Sequence, residues 1–203
     1  VITVPYTNLL QQWSDELAKW SMSSTILESG SWNKILRDEI DHLNRSNGKE
    51  LSILIVSHVL CRDKEFVSEI ERVKNAAMII ADEAHHLGTI SGSRGLSVNY
   101  HYRLALSATI ERYYDVEGTQ ILKNYFGNTI YEYSLEKAIS DGKLCQYEYH
   151  PYFVDLTEEE YTSWKYWTIK IAPLLNSKDP EDRTKLERYL ENLKDVETKP
   201  DGF

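Results

Sequence analysis

The sequence predicts an α/β domain built on a mostly parallel sheet. Three observations carry that prediction. Short runs rich in Val, Ile and Leu alternate with segments whose apolar residues recur at helical spacing. The runs are nearly continuous in apolar residues, as expected of strands covered on both faces. Charged and hydroxyl residues collect just where the runs stop.

The elements follow in order. "VITVP" (1–5) is β-rich, and Pro5 closes it. "TNLLQQWSDELAKWS" places Leu9, Leu10, Trp13, Leu17 and Trp20 on one helical face, with Thr7 or Asn8 available as the cap. "SWNKILRDEIDHLNRSNG" repeats the pattern with Trp32, Ile35, Leu36, Ile40 and Leu43, and Asn47-Gly48 stops it. "ELSILIVSH" (50–58) reads as a buried strand and "DKEFVSEIERVKN" (63–75) as a short amphipathic helix. "AAMIIADEAHH" (76–86) is a strand with its exit, and "YRLALSAT" (102–109) is another strand. "GTQILKNYFG" is helical up to Gly127, "TIYEYSL" reads as a strand, "EKAISDGKL" as a short helix and "QYEYHPYFVDL" as a Tyr-rich strand. From Thr157 the pattern is helical, interrupted by "PLLNSKDPED". The expected organisation is a sheet-bearing domain over 1–156, with 157–203 as a helical extension or the start of an insertion.

Composition bounds the function. The 203 residues are 41% hydrophobic and 27% charged, ordinary for a globular chain able to bury a core. The formal charge of −9 argues against strong phosphate binding by these residues alone, though a local basic patch stays compatible with it. Two cysteines, Cys61 and Cys145, lie outside any C-x-x-C pattern, so no disulfide framework or cysteine zinc site is implied. A reducing, cytoplasmic setting is expected. No apolar run approaches the ~18 residues of a membrane span, and no signal peptide is evident. The chain opens on a strand at Val1 and ends in "ETKPDGF", from which a piece of a longer protein is expected.

The chemistry concentrates in "IIADEAHH". In an open parallel sheet, ligands bind outside the carboxyl ends of the strands. A carboxylate there, Asp82, suits Mg²⁺ bridging phosphate oxygens. A second, Glu83, suits the orientation or deprotonation of an attacking water. The plainer alternative is a helix N-terminus, where acids are favoured by capping and the dipole. Another alternative groups Asp82 with His85, His86 and His101 as metal ligands, but no H-x-x-x-H spacing supports it.

Taken together, the strings resemble a known family. "IIADEAHH" resembles the Walker B (DEAH/DExH) motif of superfamily 2 helicases, and "RLALSATIER" resembles their motif III. "VITVPYTNLLQQW" is similar to motif Ia, and "ILIVSHVL" sits where these proteins carry a motif Ib strand and loop. The stretch "YFGNTIYEYSLEKAISDGKLCQYEYHPYFVDLTEEEY" resembles the segment after motif III in restriction-subunit and XPB-like members, which occur in bacterial DNA-restriction and phage-defence systems. The resemblance covers roughly 1 to 165 and implies part of a first RecA-like lobe, a three-layer α/β/α arrangement. It implies ATP and Mg²⁺ as cofactors, DNA as partner with RNA still open, and a second RecA-like lobe of the same parent chain. Residue by residue, it implies that Asp82 holds the metal and, with Glu83, the nucleotide, and that Glu83 activates water. His85 would sense nucleotide state, and Ser107 and Thr109 would couple hydrolysis to movement. Pro5, Tyr6, Thr7, Ser57 and His58 would lie along the nucleic acid.

Departures accompany the likeness. The phosphate loop G-x-x-x-x-G-K-[ST] does not occur within 1–203: Gly48-Lys49 is followed by Glu50, and Gly142-Lys143 by Leu144. Ile110 follows Ser-Ala-Thr where many relatives have Pro, and His86 follows the DEAH string. Three functions therefore stand side by side. The first is a fragment of an ATP-dependent helicase or translocase, expected to be inactive alone. The second is a non-catalytic RecA-like scaffold that binds protein or nucleic acid. The third is a metal-dependent hydrolase using Asp82, Glu83 and His85. "YEYHPY" and "YTSWKYW" offer rings for stacking on single-stranded bases, or equally for a packed face.

Overall fold

The computed structural model describes residues 1–28, 30–46, 48–112, 115–151, 155–175, 177 and 179–198. By its contacts the chain divides into two compact units, Val1–Asn128 and Thr129–Phe203.

The first unit runs β1 (Ile2–Val4), α1 (Asn8–Lys19), β2 (Thr25–Leu27), α2 (Trp32–Ser46), β3 (Leu54–Ser57), α3 (His58–Cys61), α4 (Lys64–Glu71) and β4 (Met78–Ala81). Two 3₁₀ turns follow, Ala84–Gly88 and Gly92–Gly95, then β5 (Tyr102–Ala105) and α5 (Val116–Phe126). The strands form one five-stranded sheet in the order β2-β3-β1-β4-β5. Every pairing among the described residues is parallel.

Strand alternation sorts side chains into layers. Ile2, Val4 and Ile55 face α1, where they pack with Leu10, beside Leu17 and Ile80. Leu54, Val56 and Ile79 face the other way and pack with Leu36, Ile40, Phe66 and Ile70 of α2 and α4. The sheet thus lies between two helical layers, the α/β/α arrangement expected. Neighbouring residues of β1, β3 and β4 are buried on opposite faces, which is why their sequences read as unbroken apolar runs. Full burial of a side chain such as Phe66 contributes about 1.5–3 kcal/mol. A third cluster, Ala81, Ala84, Leu87 and Leu122, seats the first 3₁₀ turn on α5.

Several elements differ from expectation. β2 is an unanticipated edge strand of three residues. β3 starts at Leu54, and Leu51 is 81% exposed. Thr7 occupies the cap position of α1 but has helical backbone angles and makes no side-chain cap. The first turn is instead closed by the carbonyls of Tyr6 and Thr7, which accept from Leu9 and Leu10 at 3.1 Å. Trp20 falls just beyond the last helical residue and is 77% exposed, so the apolar stripe ends at Leu17. Asn47, half of the expected stop of α2, lies outside the described residues; Gly48 has φ +77°, a conformation that favours glycine.

The second unit contains α6 (Leu135–Ser140), α7 (Glu158–Ile171) and α8 (Pro180–Thr198). Thr157 and Glu160 form a reciprocal capping box at the start of α7. Trp167 of α7 packs on Tyr189 of α8, ring centroids 5.4 Å apart. Neither "TIYEYSL" nor the described part of "QYEYHPYFVDL" is a strand; residues 152–154 lie outside the described set. A strand needs a partner for its backbone groups, and among the described residues no pairing includes these segments. Their alternating aromatics serve a local purpose: Tyr131 and Tyr133 stack at 6.4 Å. Among the described residues, no helix is long and apolar enough to cross a membrane.

Candidate functional site

β1 lies between β3 and β4: the chain first lays down the edge strand β2, fills the gap beside β1 with β3, and then crosses to the other side of β1 for β4 and β5. In open α/β sheets ligands bind at such a reversal, outside the carboxyl ends of the strands. Four exits reach this edge: Pro5–Thr7 after β1, Ser57-His58 after β3, Asp82-Glu83 after β4, and Leu106–Thr109 after β5. Pro5, Tyr6, Thr7, Ser57, His58, Asp82, Glu83, Ser107 and Thr109 lie on these exits, and His85 lies in the turn just beyond.

Asp82 continues the ladder: its N–H donates to the Thr3 carbonyl at 2.9 Å. Both carboxylate oxygens accept hydrogen bonds. Oδ1 takes the Glu83 N–H and Oδ2 takes the Trp13 indole N–H, each at 3.0 Å. Glu83 then turns the chain sharply, with φ 45° and ψ 48°. This left-handed conformation costs a residue with a Cβ about 1–2 kcal/mol. The next residue, Ala84, donates to the Leu106 carbonyl at 3.0 Å, tying the turn to the β5 exit. The Glu83 side chain remains 42% exposed.

His85 joins the two exits. Its Nδ1 lies 3.1 Å from Ser107 Oγ and 3.3 Å from Glu83 Oε2. Ser107 spends its only proton on the Thr109 carbonyl at 2.6 Å. The hydroxyl must therefore accept from His85, which fixes the proton on Nδ1. Thr109 contributes its carbonyl to this chain of bonds, while the residue as a whole is exposed.

The histidines and Tyr6 form a packed aromatic group. The His86 ring lies 4.2 Å from His85, 6.2 Å from His58 and 6.3 Å, edge-on, from Tyr6. Tyr6 is 61% exposed. Ser57 uses its hydroxyl to cap α3, accepting from Leu60 N–H at 3.2 Å. His58 is buried, and neither ring nitrogen has a hydrogen-bond partner. Burial and the neighbouring His86 push its pKa down to about 4, so the ring is neutral near pH 7. The β3 exit thus presents a cap and a core ring rather than two open polar side chains.

The three-histidine metal alternative fails on position. His101 sits by Ala77, at the amino end of β4 and β5, and among the described residues no three His, Cys, Asp or Glu side chains cluster as metal ligands. What remains is an oxygen donor set of Asp82 and Glu83, which fits a hard cation shared with phosphate rather than one caged by protein.

Two supporting groups escaped the sequence reading. Arg112 bonds the His85 carbonyl and pairs with Asp115 at 2.9 Å. Gly118 lets α5 approach the turn: a Cβ there would stand 2.6 Å from the Gly88 carbonyl oxygen. No local pattern announces either one, because each acts between segments.

Comparison with known families decides the matter of kinship. Residues 1–112 match the family described as type III restriction enzyme, res subunit (ResIII). The chain belongs to the ResIII family. No curated protein matches it. The matched span ends at Arg112, so it includes all four strand exits and the His85 bridge of this ResIII chain, the helicase-like domain expected from the DEAH and Ser-Ala-Thr strings.

Proposed function

We propose that this chain forms the ATP-handling part of a superfamily 2 motor lobe acting on DNA in a restriction or defence system. The observation that carries the reading is the His85 bridge, which links Glu83 after β4 to Ser107 after β5. A nucleotide-sensing residue needs that position between the carboxylate and the neighbouring strand exit.

Asp82 would hold Mg²⁺ and, with Glu83, the nucleotide. Bound Mg²⁺ supplies charge neutralisation at the phosphate oxygens. Glu83 takes a proton from the water that attacks the γ-phosphorus, and the bond to the bridging oxygen breaks with its electrons leaving on ADP. The left-handed backbone at Glu83 holds its carboxylate at the exposed crest of the turn. His85 donates from Nδ1 to Ser107, so a change at the phosphate end is passed to the β5 exit. Exposed Tyr6, with Pro5 and Thr7, contacts the nucleic-acid strand, while Ser57 and His58 support that surface from below.

The test is phosphate release by the full-length protein carrying this sequence, measured without polymer, with duplex DNA and with RNA. DNA-stimulated release that Tyr6→Ala weakens supports the motor. Stimulation by RNA alone would reassign the polymer. No release under any condition would leave a non-catalytic scaffold.

A further inference from the structure

Asp82 is held from two directions. The Glu83 N–H bond to Oδ1 is local and comes with the turn. The Trp13 bond to Oδ2 spans 69 residues and comes from α1. An indole N–H can only donate, and it sits on a rigid ring with two rotatable bonds, so it defines one direction for its acceptor. Trp13 is partly buried and packs against the core cluster of Ile2, Val4, Leu10 and Ile55, which restrains the ring. Packing alone needs no nitrogen there. Each Asp82 oxygen has two lone pairs, so one on each stays open to a cation or its water after these bonds.

α1 is itself anchored. Leu10 is 1% exposed in the core, and the first turn of α1 is closed by the carbonyls of Tyr6 and Thr7. The same rigid piece therefore carries the β1 exit loop and the donor that orients the acid.

We propose that Trp13 is a positioning residue for the cation site: its indole N–H fixes the Asp82 carboxylate in the rotamer that meets Mg²⁺. This rests on the reading of Asp82 as the Mg²⁺ carboxylate. Partners that orient a ligating side chain in this way change metal affinity by roughly 10–100-fold when lost.

The full-length protein is prepared with benzothienylalanine at position 13, which keeps the ring shape and replaces only the N–H by sulfur. Trp13→Phe is the second variant. The Mg²⁺ concentration for half-maximal binding of a fluorescent ATP analogue should rise roughly 10-fold or more, with binding in EDTA unchanged. Independently of any ligand, the Trp13 indole proton should exchange slowly with solvent in the native chain and faster in Asp82→Ala. An unchanged Mg²⁺ requirement in the isostere overturns the proposal, as does an equal loss of binding in EDTA, which marks a purely structural residue. A native protein with no Mg²⁺-dependent nucleotide binding overturns the reading of Asp82 itself, a result distinct from failure of the Trp13 variants.

Discussion

Glu83 carries a cost that can be measured. Its φ of 45° and ψ of 48° place a side-chain-bearing residue in the left-handed region. The expense is about 1–2 kcal/mol for any residue with a Cβ and close to zero for glycine. At an ordinary position glycine is the worse residue by roughly 0.4–1 kcal/mol, because it frees the unfolded chain. Comparing Glu83→Gly with Glu83→Ala removes the carboxylate from both, including its 3.3 Å contact with His85. The difference between them isolates the backbone. The relief of about 1–2 kcal/mol less roughly 0.7 leaves the glycine variant more stable by about 1 kcal/mol. Urea unfolding of the chain, read by tryptophan fluorescence with equal m-values, gives the number directly. For a chain of this length the corresponding difference in Tm is about 2–4 °C. An alanine variant as stable as the glycine variant, or more so, refutes strain at this residue and with it the idea that the turn holds the carboxylate up at a cost in stability.

Three further outcomes follow from the packing. Gly118→Ala should destabilise by about 1–3 kcal/mol in urea, because its Cβ would stand 2.6 Å from the Gly88 carbonyl oxygen and backbone must move. Arg112→Ala should cost about 2 kcal/mol, through the lost bond to the His85 carbonyl and the partly buried Asp115 left without its guanidinium; Arg112→Lys should not restore the full amount. His58 is held neutral by burial, with its pKa pushed down to about 4 from 6.5. The unfolded chain therefore binds a proton between these values that the folded chain does not. The stabilising contribution is complete above pH 6.5 and is lost as pH falls toward 4. His58→Phe should flatten that part of the stability–pH curve by about 3 kcal/mol, and an unchanged slope would contradict a buried neutral ring.

The sheet was legible because its inner strands are buried on both faces, which leaves an unbroken apolar record in the sequence. β2 was not: three residues at an edge, Thr25–Leu27, are too few to show a period. The Tyr-rich strings show the opposite failure. Alternating aromatics signal a strand only where another strand accepts them, and Tyr131 and Tyr133 stack on each other instead. At the site, Asp82, Glu83, His85 and Ser107 could be read because each strand exit carries its chemistry in a contiguous string. Trp13 could not, since its helical spacing marks it as core and says nothing of where the indole N–H points. Arg112 and Gly118 were hidden for a related reason: they act by closing the gap between the turn after β4 and α5. His58 was expected along the nucleic acid, but its ring is buried, with its centroid 6.2 Å from that of His86.

The most direct test of the proposed motor is single-turnover ATP hydrolysis by the full-length protein with DNA present, native beside Glu83→Gln. The glutamine keeps the size of the side chain and loses the proton acceptor. The hydrolysis rate should fall by roughly 10² or more with ATP binding retained. Hydrolysis at the native rate in Glu83→Gln would contradict the proposal, and would move the water-activating role away from the β4 exit.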